Sequence, residues 1–308
     1  MTEGLPVSVM IPSHNPNPDY LEQVIESLKN QTLPQTEWEL LLIDNGSDRQ
    51  LSATVDLRWH PNARHIREDE LGVMVARCRG IRESTGGLLV NVDDDNLLAP
   101  DYLEKALAIA AEHRKLGVWG GRIDPRFETE PAEWTRPWWN ILAIRQIERD
   151  TWSNLYYQDL TTPPGAGMCI RRAVAEAYRR NTQTDPRRLK LCRRGKGVIS
   201  AGDCDLAYTA CDIGLGTGLF TALRLTHLIG RHRLTEEYLI RLVEGINYST
   251  VMLRALRGQV PGPVPTSLSF RLRELKLLLS LNARDRRFHY AAKRGSASAF
   301  RDLAASRH

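Results

Sequence analysis

The sequence predicts an α/β fold in which a mostly parallel sheet is flanked by helices. Along roughly the first hundred residues, short β-branched runs alternate with segments of helical periodicity, the order typical of a parallel sheet. Three of the predicted strands end in clusters of polar residues. The chain of 308 residues is 42% hydrophobic and 26% charged, so it can bury a sizeable core.

Short apolar runs mark the strands. The first is Val7–Ile11, which Pro12 is expected to end because proline cannot donate to a strand ladder. The later strands are predicted at Glu39–Asp44, Leu88–Val92, Val118–Ile123 and Met168–Ile170.

Apolar residues three and four positions apart mark the helices. In the first helix Leu21, Val24, Ile25 and Leu28 form one stripe, and Pro18 suits its first turn. Further helices are predicted near residues 71–84, 101–115, 171–180, 203–214, 234–256 and 268–281.

Three other segments are predicted to lack regular structure. Glu128–Asp159, with four tryptophans and two prolines, is expected to form loops over a cleft, and the polar, basic Thr182–Lys196 is expected to form a mobile loop. The alternating prolines of residues 261–265 are expected to break the chain before the helix at 268–281.

Positive charge is concentrated near the C-terminus. From Arg231 onward there are 15 Lys/Arg and 6 Asp/Glu, whereas the rest of the chain holds 27 basic and 31 acidic residues. We therefore expect an α/β domain over residues 1–230 and a basic helical extension over 231–308. This distribution argues against a nucleic-acid-binding surface, but it suits a basic region that meets something anionic.

Cysteine usage and the N-terminus predict the compartment. The five cysteines form no C-x-x-C pair, and Met1–Pro6 lacks the basic start and apolar core of a secretory signal. The longest apolar stretch, Ile213–Ile229, is interrupted by Arg224 and His227 and is too polar to span a bilayer. These features predict a cytoplasmic protein with reduced thiols.

The three polar clusters after predicted strands are the main functional signal. They are Pro12–Asn15, Asp44–Asp48 and Asp93–Asn96, and ligands of open parallel sheets bind at this edge. Adjacent carboxylates repel one another, and a hard divalent cation such as Mg²⁺ relieves that repulsion. The alternative for Asp93–Asp95 is a solvated acidic turn that caps the next helix.

The order of five motifs, "VSVMIPSHN", "LLIDNGSD", "LGVMVARCRGI", "VNVDDDN" and "SAGDCDL", resembles glycosyltransferase family 2 with its GT-A fold. The resemblance covers roughly Val7–His227, about two-thirds of the chain. It implies a nucleotide-binding half over residues 1–100, an acceptor half over 101–230, and the family's "D-x-D" motif at Asp93–Asp95.

The resemblance also implies a donor and metal site. Asp44 would accept from the pyrimidine ring, Arg77 would approach the base or phosphates, and Asp95 would bind Mn²⁺ or Mg²⁺. His227 stands where many relatives place a third metal ligand, although a lone histidine in an apolar segment is usually a core residue. The full set for the donor nucleotide is Pro12, Ser13, Asn15, Asp44, Arg77, Asp93 and Asp94.

Further residues are assigned to the sugar, acceptor and leaving group. Gly167 and Met168, within "GAGM", match the family's turn beside the donor sugar and acceptor. Trp152 could stack against a sugar ring, with core packing as the alternative reading of the tryptophans. Arg231 and Arg233 could neutralise the pyrophosphate, with plain surface arginines as the alternative.

Asp203 matches the family's catalytic base, but the sequence departs from the usual "ED" there. Gly202 replaces the glutamate, and Asp205 follows two residues later. We assign the base to Asp203, because it would lie at the helix N-terminus while Asp205 would lie inside the helix. The alternative for Asp203 is a simple N-cap.

These features predict an inverting, metal-dependent glycosyltransferase. UDP is the nucleotide that the resemblance favours, with TDP and GDP open, and the acceptor is a saccharide, a lipid-linked or another hydroxyl compound. One alternative is a sugar nucleotidyltransferase, although "IPSHNPNPDY" has no glycine-rich phosphate loop. Another is a non-catalytic binding module, which the glycine at 202 would allow.

The helix at Leu268–Leu281 carries leucines on one stripe and several basic residues. It predicts a peripheral contact with an anionic membrane at the inner face. The alternative is a helix that packs its leucines on the catalytic domain or on a partner subunit.

Overall fold

The computed structural model describes residues 4–192, 199–259, 262 and 267–305. Within them the chain forms two compact units. The first contains residues 4–192 and 202–231, and the second contains 199–201 together with the described residues from 232 onward.

The first unit is built on one mixed sheet, which has nine strands within the described residues. The strand order is β3-β2-β1-β4-β8-β6-β9-β5, and β7 pairs with β9. The strands are β1 (Val7–Ser13), β2 (Trp38–Asn45), β3 (Ala63–Glu68), β4 (Leu88–Asn91), β5 (Asn96–Leu98), β6 (Leu116–Phe127), β7 (Thr151–Ser153), β8 (Cys169–Arg171) and β9 (Gly216–Ile229).

Five helices of the first unit flank this sheet in the described part of the chain. They are α1 (Pro18–Lys29), α2 (Val73–Glu83), α3 (Tyr102–Glu112), α4 (Arg172–Thr184) and α5 (Gly202–Asp212). The second unit contains α6 (Glu236–Leu256), α7 (Leu268–Ser280) and α8 (Ala283–Ala305).

The predicted α/β fold is confirmed. The strands β3, β2, β1 and β4 are parallel neighbours, and β6 and β9 form a further parallel pair. Both faces of β2 are buried, because Leu40 and Leu42 pack on one side of the sheet and Leu41 and Ile43 on the other. All four apolar residues predicted for the first helix are buried in α1.

Pro12 does not end the first strand, contrary to expectation, since β1 continues to Ser13. The backbone of Met10 faces β4, where its carbonyl accepts from the Val92 N–H. Pro12, two residues on, faces the same side, but β4 pairs with β1 only as far as Met10. The missing N–H of Pro12 therefore costs no ladder bond.

Four strands were not predicted: β3, β5, β7 and β9. The apolar stretch Ile213–Ile229 is mostly β9, which pairs with β5, β6 and β7. The segment Glu128–Asp159 is not only loop, because it contains β7 and a 3₁₀ helix at Glu133–Leu142.

The predicted mobile loop at Thr182–Lys196 is partly wrong. α4 continues to Thr184, and a 3₁₀ helix spans Pro186–Leu191. Residues 193–196, the rest of that predicted loop, and the three prolines at 261, 263 and 265 lie outside the described residues.

A buried carboxylate, Glu39 on β2, ties the start of β4 to the sheet. Glu39 Oε1 accepts from Ser8 Oγ at 2.7 Å and from the Thr85 N–H and hydroxyl at 2.5 and 2.8 Å, while Oε2 pairs with Arg64 at 3.0 Å. Burial alone would raise the pKa of Glu39, but these hydrogen bonds outweigh it and the pKa is lowered. Glu39 therefore holds the turn before β4 as an anion.

Replacing Glu39 with glutamine is expected to lower the free energy of unfolding at pH 7 by about 1–3 kcal/mol, because buried donors lose their charged acceptor. Since the folded pKa is lowered, the wild-type advantage is complete above the unfolded pKa and disappears as pH falls through the folded pKa. Urea unfolding at pH 7 and at pH 3 measures this. Glu37→Gln, an exposed neighbour, is the matched control, and a wild-type advantage over Glu39→Gln that is equal at both pH values would contradict the role.

In the second unit α6 packs against α8. Phe288, Ala291 and Ala299 of α8 are buried, and Gly295 lies directly against the backbone of Glu244 in α6. No helix in the described ranges is long and apolar enough to cross a membrane.

Candidate active site

The ends of β1, β2 and β4 bring the three predicted polar clusters into direct contact. Ser13 Oγ donates to Asp94 Oδ2 at 2.5 Å, which joins the first cluster to the aspartates. The Asn15 N–H donates to Ser47 Oγ at 3.0 Å, and the Asn15 side-chain amide donates to Asp48 Oδ2 at 3.1 Å. Because parallel strands end at a common edge, clusters far apart in sequence form one polar surface, and Pro12 lies half-buried beside Ser13.

Asp44 lies at the end of β2 and is nearly fully buried. Its carboxylate accepts from the backbone N–H groups of Ser47 and Leu51 at 2.9 and 3.0 Å and pairs with Arg67 Nη1 at 2.9 Å. Burial acts to raise the pKa of Asp44, but these hydrogen bonds outweigh it and lower the pKa. Asp44 is thus an ionised acceptor fixed at the edge of the sheet.

Arg77 is buried within α2 and bridges two aspartates that are distant in sequence. Its Nη2 pairs with Asp93 Oδ1 at 3.1 Å, and its Nη1 pairs with Asp203 Oδ1. Only 3% of the Arg77 side chain is exposed, so the guanidinium is largely shielded from water. This bridge joins the aspartates after β4 to the start of α5.

Asp203 is the second residue of α5 and keeps 23% of its side chain exposed. Besides the contact with Arg77, its Oδ2 accepts the Gly165 N–H at 3.0 Å. A Cβ at position 165 would collide with both Arg77 Nη2 and Asp203 Oδ2, so only glycine permits this approach. Among the described residues, neither carboxylate oxygen of Asp203 accepts a hydrogen bond from a backbone N–H of α5. Asp203 therefore does not act as the N-cap of this helix.

Asp205 differs from Asp203 in its surroundings. Its side chain is fully buried, and both of its oxygens accept from Arg188 Nη1, at 2.7 and 2.8 Å. A carboxylate so enclosed and paired is suited to holding α5 in place.

Gly202 stands where the resemblance places a glutamate, and the structure gives a physical reason for the small residue. A Cβ there would lie 2.6 Å from Met74 Cγ and 2.8 Å from Cys192 Sγ. The space that a longer side chain would need is therefore filled by Met74 and Cys192.

Asp95 and His227 meet where β5 pairs with β9. His227 Nε2 lies 3.2 Å from Asp95 Oδ2, and Asp95 Oδ1 accepts from the Asn96 side chain at 2.9 Å. The register of the strands fixes this pair, because Asn96 is the direct partner of His227. His227 is buried, whereas 21% of the Asp95 side chain is exposed.

The Asp95–His227 pair fits a divalent cation. Two ligands of an octahedral ion with bonds of about 2.1 Å are roughly 3 Å apart, close to the separation of these two atoms. The described residues contain no group of three or more His, Cys, Asp or Glu side chains that could hold a metal. Within the described residues this pair would supply two ligands to such an ion, and the remaining positions would be taken by water and phosphate oxygens, as is usual for Mg²⁺.

The residues assigned to sugar and acceptor have different environments. Gly167 adopts a left-handed conformation (φ 66°), and its carbonyl accepts from Tyr102 Oη at 2.6 Å. The Met168 side chain is fully buried in the core, so it can support the turn but cannot touch a sugar. Trp152, on β7, is 62% exposed.

The two predicted pyrophosphate arginines belong to different units. Arg231 is exposed in the first unit and pairs at 3.6 Å with Glu128, the environment expected of a surface arginine. Arg233 belongs to the second unit. Among the described contacts, the Arg231 side chain pairs with Glu128 and with none of the aspartates after β4.

Two supporting residues were missed by the sequence reasoning. Arg67, on the charged edge strand β3, pairs with Asp44, and Tyr102 holds the Gly167 carbonyl. Neither belongs to a motif, and only the pairing of β3 with β2 brings Arg67 opposite Asp44. Gly165, in contrast, could be singled out from the sequence, because it lies in "PPGAG" before a strand and begins the "GAGM" turn.

A family model named "Glycosyl transferase family 2" matches residues 8–180, more than half of the chain. The chain belongs to this family.

The curated relatives match shorter regions. Glycosyltransferase AglE of Haloferax volcanii is 33% identical over 117 residues, which are 35% of this chain and 36% of that protein. An N-acetylglucosaminyltransferase of Bradyrhizobium diazoefficiens is 31% identical over 103 residues, 32% of this chain and 21% of that protein. The matched region thus spans about a third or less of these relatives.

Two solved structures share the GT-A fold. The mannosyltransferase PcManGT of Pyrobaculum calidifontis, in complex with GDP-Man and Mn²⁺, has a TM-score of 0.56 at 18% identity. The match covers 99% of this chain and 76% of the PcManGT chain. The S. aureus TarS 1-349 complex with UDP-GlcNAc has a TM-score of 0.53 at 15% identity, and the match covers 93% of this chain and 79% of the TarS chain. At these identities the likeness shows the fold.

Proposed function

We propose that this protein is an inverting, metal-dependent glycosyltransferase that moves a sugar from a nucleotide sugar to a hydroxyl acceptor. The observation that supports it best is the position of Asp203. This partly exposed carboxylate is held by Arg77 and the Gly165 N–H beside the aspartates that follow β4. This arrangement supports a base that lies next to the donor site.

The donor would lie across the ends of β1 and β2. Asp44, ionised and fixed, is suited to accept a hydrogen bond from a base N–H, and Ser13, Asn15, Asp93 and Asp94 offer polar groups for the ribose. We propose UDP as the nucleotide, with GDP and TDP as alternatives. Solved relatives in complex with UDP-GlcNAc and with GDP-Man support a nucleotide sugar of this class.

Asp95 and His227 would hold Mn²⁺ or Mg²⁺, which supplies positive charge that offsets the charge developing on the diphosphate. The 3.2 Å separation of their ligand atoms supports this assignment. Mn²⁺ in the complex of PcManGT supports the same class of ion.

Asp203 would act on the acceptor. As the acceptor oxygen forms its bond to the anomeric carbon, the bond from that carbon to the diphosphate oxygen breaks on the opposite face. Asp203 takes the hydroxyl proton, and the nucleoside diphosphate leaves with the bonding electrons. One displacement of this kind inverts the anomeric centre, through an oxocarbenium-like transition state.

The acceptor is proposed as a saccharide, a lipid-linked or another hydroxyl compound, in a cytoplasmic setting. The relatives named N-acetylglucosaminyltransferase support N-acetylglucosamine as the kind of sugar transferred. Trp152, exposed on β7, offers an aromatic face for a sugar ring.

A panel of UDP-, GDP- and TDP-sugars, incubated with Mn²⁺ and assayed for released nucleoside diphosphate, tests the proposal. We expect slow release from one donor class without acceptor and faster release once an acceptor is found. Thermal stabilisation by a nucleoside diphosphate with no release from any sugar of the panel would indicate the non-catalytic binding module instead.

A further inference from the structure

The helix α7 exposes a stripe of leucines that no other described part of the chain covers. Leu268, Leu272, Leu275 and Leu279 are 73%, 57%, 54% and 72% exposed. At 3.6 residues per turn these four side chains fall within an arc of about 60°. No residue of α7 is buried, so the stripe is not part of a core.

Basic side chains border this stripe on both sides. With the same helical geometry, Arg271 lies about 70° to one side of its centre and Lys276 about 70° to the other, with Arg273 farther round. All three are exposed, and none forms an ion pair with a described residue. Four of the six basic residues of α8, in contrast, have acidic partners: Arg284 and Arg287 pair with Glu236, Lys293 with Glu274, and Arg294 with Glu244.

The face of α7 nearest to α8 is a different one. Glu274, which contacts Lys293 and His289 of α8, lies about 130° from the centre of the leucine stripe. The side of α7 that meets α8 is therefore distinct from the side that carries the leucines and their basic borders.

We propose that the leucine stripe of α7 binds an anionic lipid surface. An apolar stripe with basic residues at its borders can bury the leucines at the acyl boundary while Arg271 and Lys276 reach the headgroups. A second copy of the chain, the alternative occupant, would have to cover three basic groups with acidic ones. α7 offers only Glu274 for that purpose, and Glu274 is already paired with Lys293.

Vesicle flotation of the full chain at low salt, without donor or acceptor, tests this inference. We expect binding to vesicles of 40% phosphatidylglycerol in phosphatidylcholine and little binding to pure phosphatidylcholine. Neutralising Arg271, Arg273 and Lys276 to glutamine is expected to weaken binding to the anionic vesicles roughly 100-fold, since each basic group near such a surface contributes about 1 kcal/mol. Replacing the four stripe leucines with serine should abolish it.

The control changes the same charge elsewhere. Arg114, Lys115 and Arg180 are exposed in the first unit, and their replacement by glutamine should leave flotation unchanged. If this control variant lost as much vesicle binding as the α7 variant, the loss would come from net charge alone, and the inference would be overturned. So would a wild-type chain that ignores anionic vesicles but self-associates through the leucines, as measured by sedimentation equilibrium.

A second inference, which rests on the proposed transfer, concerns Arg77. The resemblance places this arginine at the donor base or phosphates. Its guanidinium is instead buried between Asp93 and Asp203 and makes ion pairs with both. We infer that Arg77 is a positioning residue, which fixes the carboxylate of Asp203 for proton removal.

Arg77→Lys tests this role, because lysine keeps the charge but cannot span two carboxylates in a fixed plane. We expect kcat to fall about 10–100-fold, since a misplacement of about 1 Å in a reacting group can cost 10²-fold. KM for the nucleotide sugar should change less than about threefold. Arg79→Lys, on the same helix but paired with Glu68 and Glu83, is the matched control.

Gly165→Ala gives a second variant that keeps Arg77, should the lysine variant fail to fold. The added methyl would push Arg77 and Asp203 apart and should also lower kcat with little change in KM. A raised KM with unchanged kcat in either folded variant would return Arg77 to the donor site. An inactive wild type would instead refute the proposed function, so the two failures are distinguishable.

Discussion

Asp203→Asn is expected to lower turnover by about 10²–10⁴, because asparagine cannot accept the proton of the acceptor hydroxyl. The amide oxygen can still accept the Gly165 N–H, and buried Arg77 keeps its ion pair with Asp93, so the fold and the affinity for nucleotide should survive. Steady-state kinetics should therefore show the loss in kcat, while thermal stabilisation by UDP with Mn²⁺ stays close to wild type.

Asp205→Asn is the matched control for this prediction. It removes one charge from the buried pair with Arg188, and breaking such a pair typically costs about 3–5 kcal/mol of folding free energy. We expect lower stability but near-normal turnover per folded molecule. A dead Asp205→Asn with an active Asp203→Asn would show that the base is assigned to the wrong aspartate.

Asp95→Ala is expected to abolish nearly all transfer and the metal-dependent part of stabilisation by UDP. The change removes one of the two proposed ligands, and the diphosphate would then lose the positive charge that favours its departure. Titration of Mn²⁺ against the protein with UDP, followed by differential scanning fluorimetry, measures the effect.

Asp101→Ala controls for the loss of a carboxylate near this region, because Asp101 pairs only with Lys105 on the surface in the described contacts. It should behave as wild type. Wild-type transfer that is unaffected by excess chelator would refute the metal assignment altogether.

The sequence predicted the part of the fold that lies next to the site. The strands β1, β2 and β4 are mostly apolar runs because both of their faces are buried, and such runs are visible without a structure. Their polar ends could be expected to meet, since parallel strands end at a common edge.

The strand β3 could not be found in this way. Its sequence "ARHIRE" has one buried apolar residue, Ile66, because it lies at the edge of the sheet and its charged side chains reach solvent or ion pairs. The pairing of β3 with β2 also explains why Arg67 was missed, because this arginine contributes to the site only through its position opposite Asp44.

The details of the base depend on packing between distant segments. Asp203 could be assigned from its motif. However, the two residues that hold its carboxylate are distant in sequence, because Arg77 lies 126 positions and Gly165 lies 38 positions before it. The glycine at 202 was a departure without explanation in the sequence, and Met74 and Cys192 supply the steric reason.

The most direct test of the central claim, that one sheet edge holds donor and metal beside Asp203, is anomalous scattering from crystals grown with Mn²⁺ and UDP. We expect one manganese peak at about 2.0–2.4 Å from Asp95 and His227, with diphosphate oxygens completing its coordination. The uracil should lie at Asp44, and Asp203 should face the space beyond the diphosphate. Manganese and UDP bound elsewhere on the chain, or ordered UDP with no ion at Asp95, would contradict it.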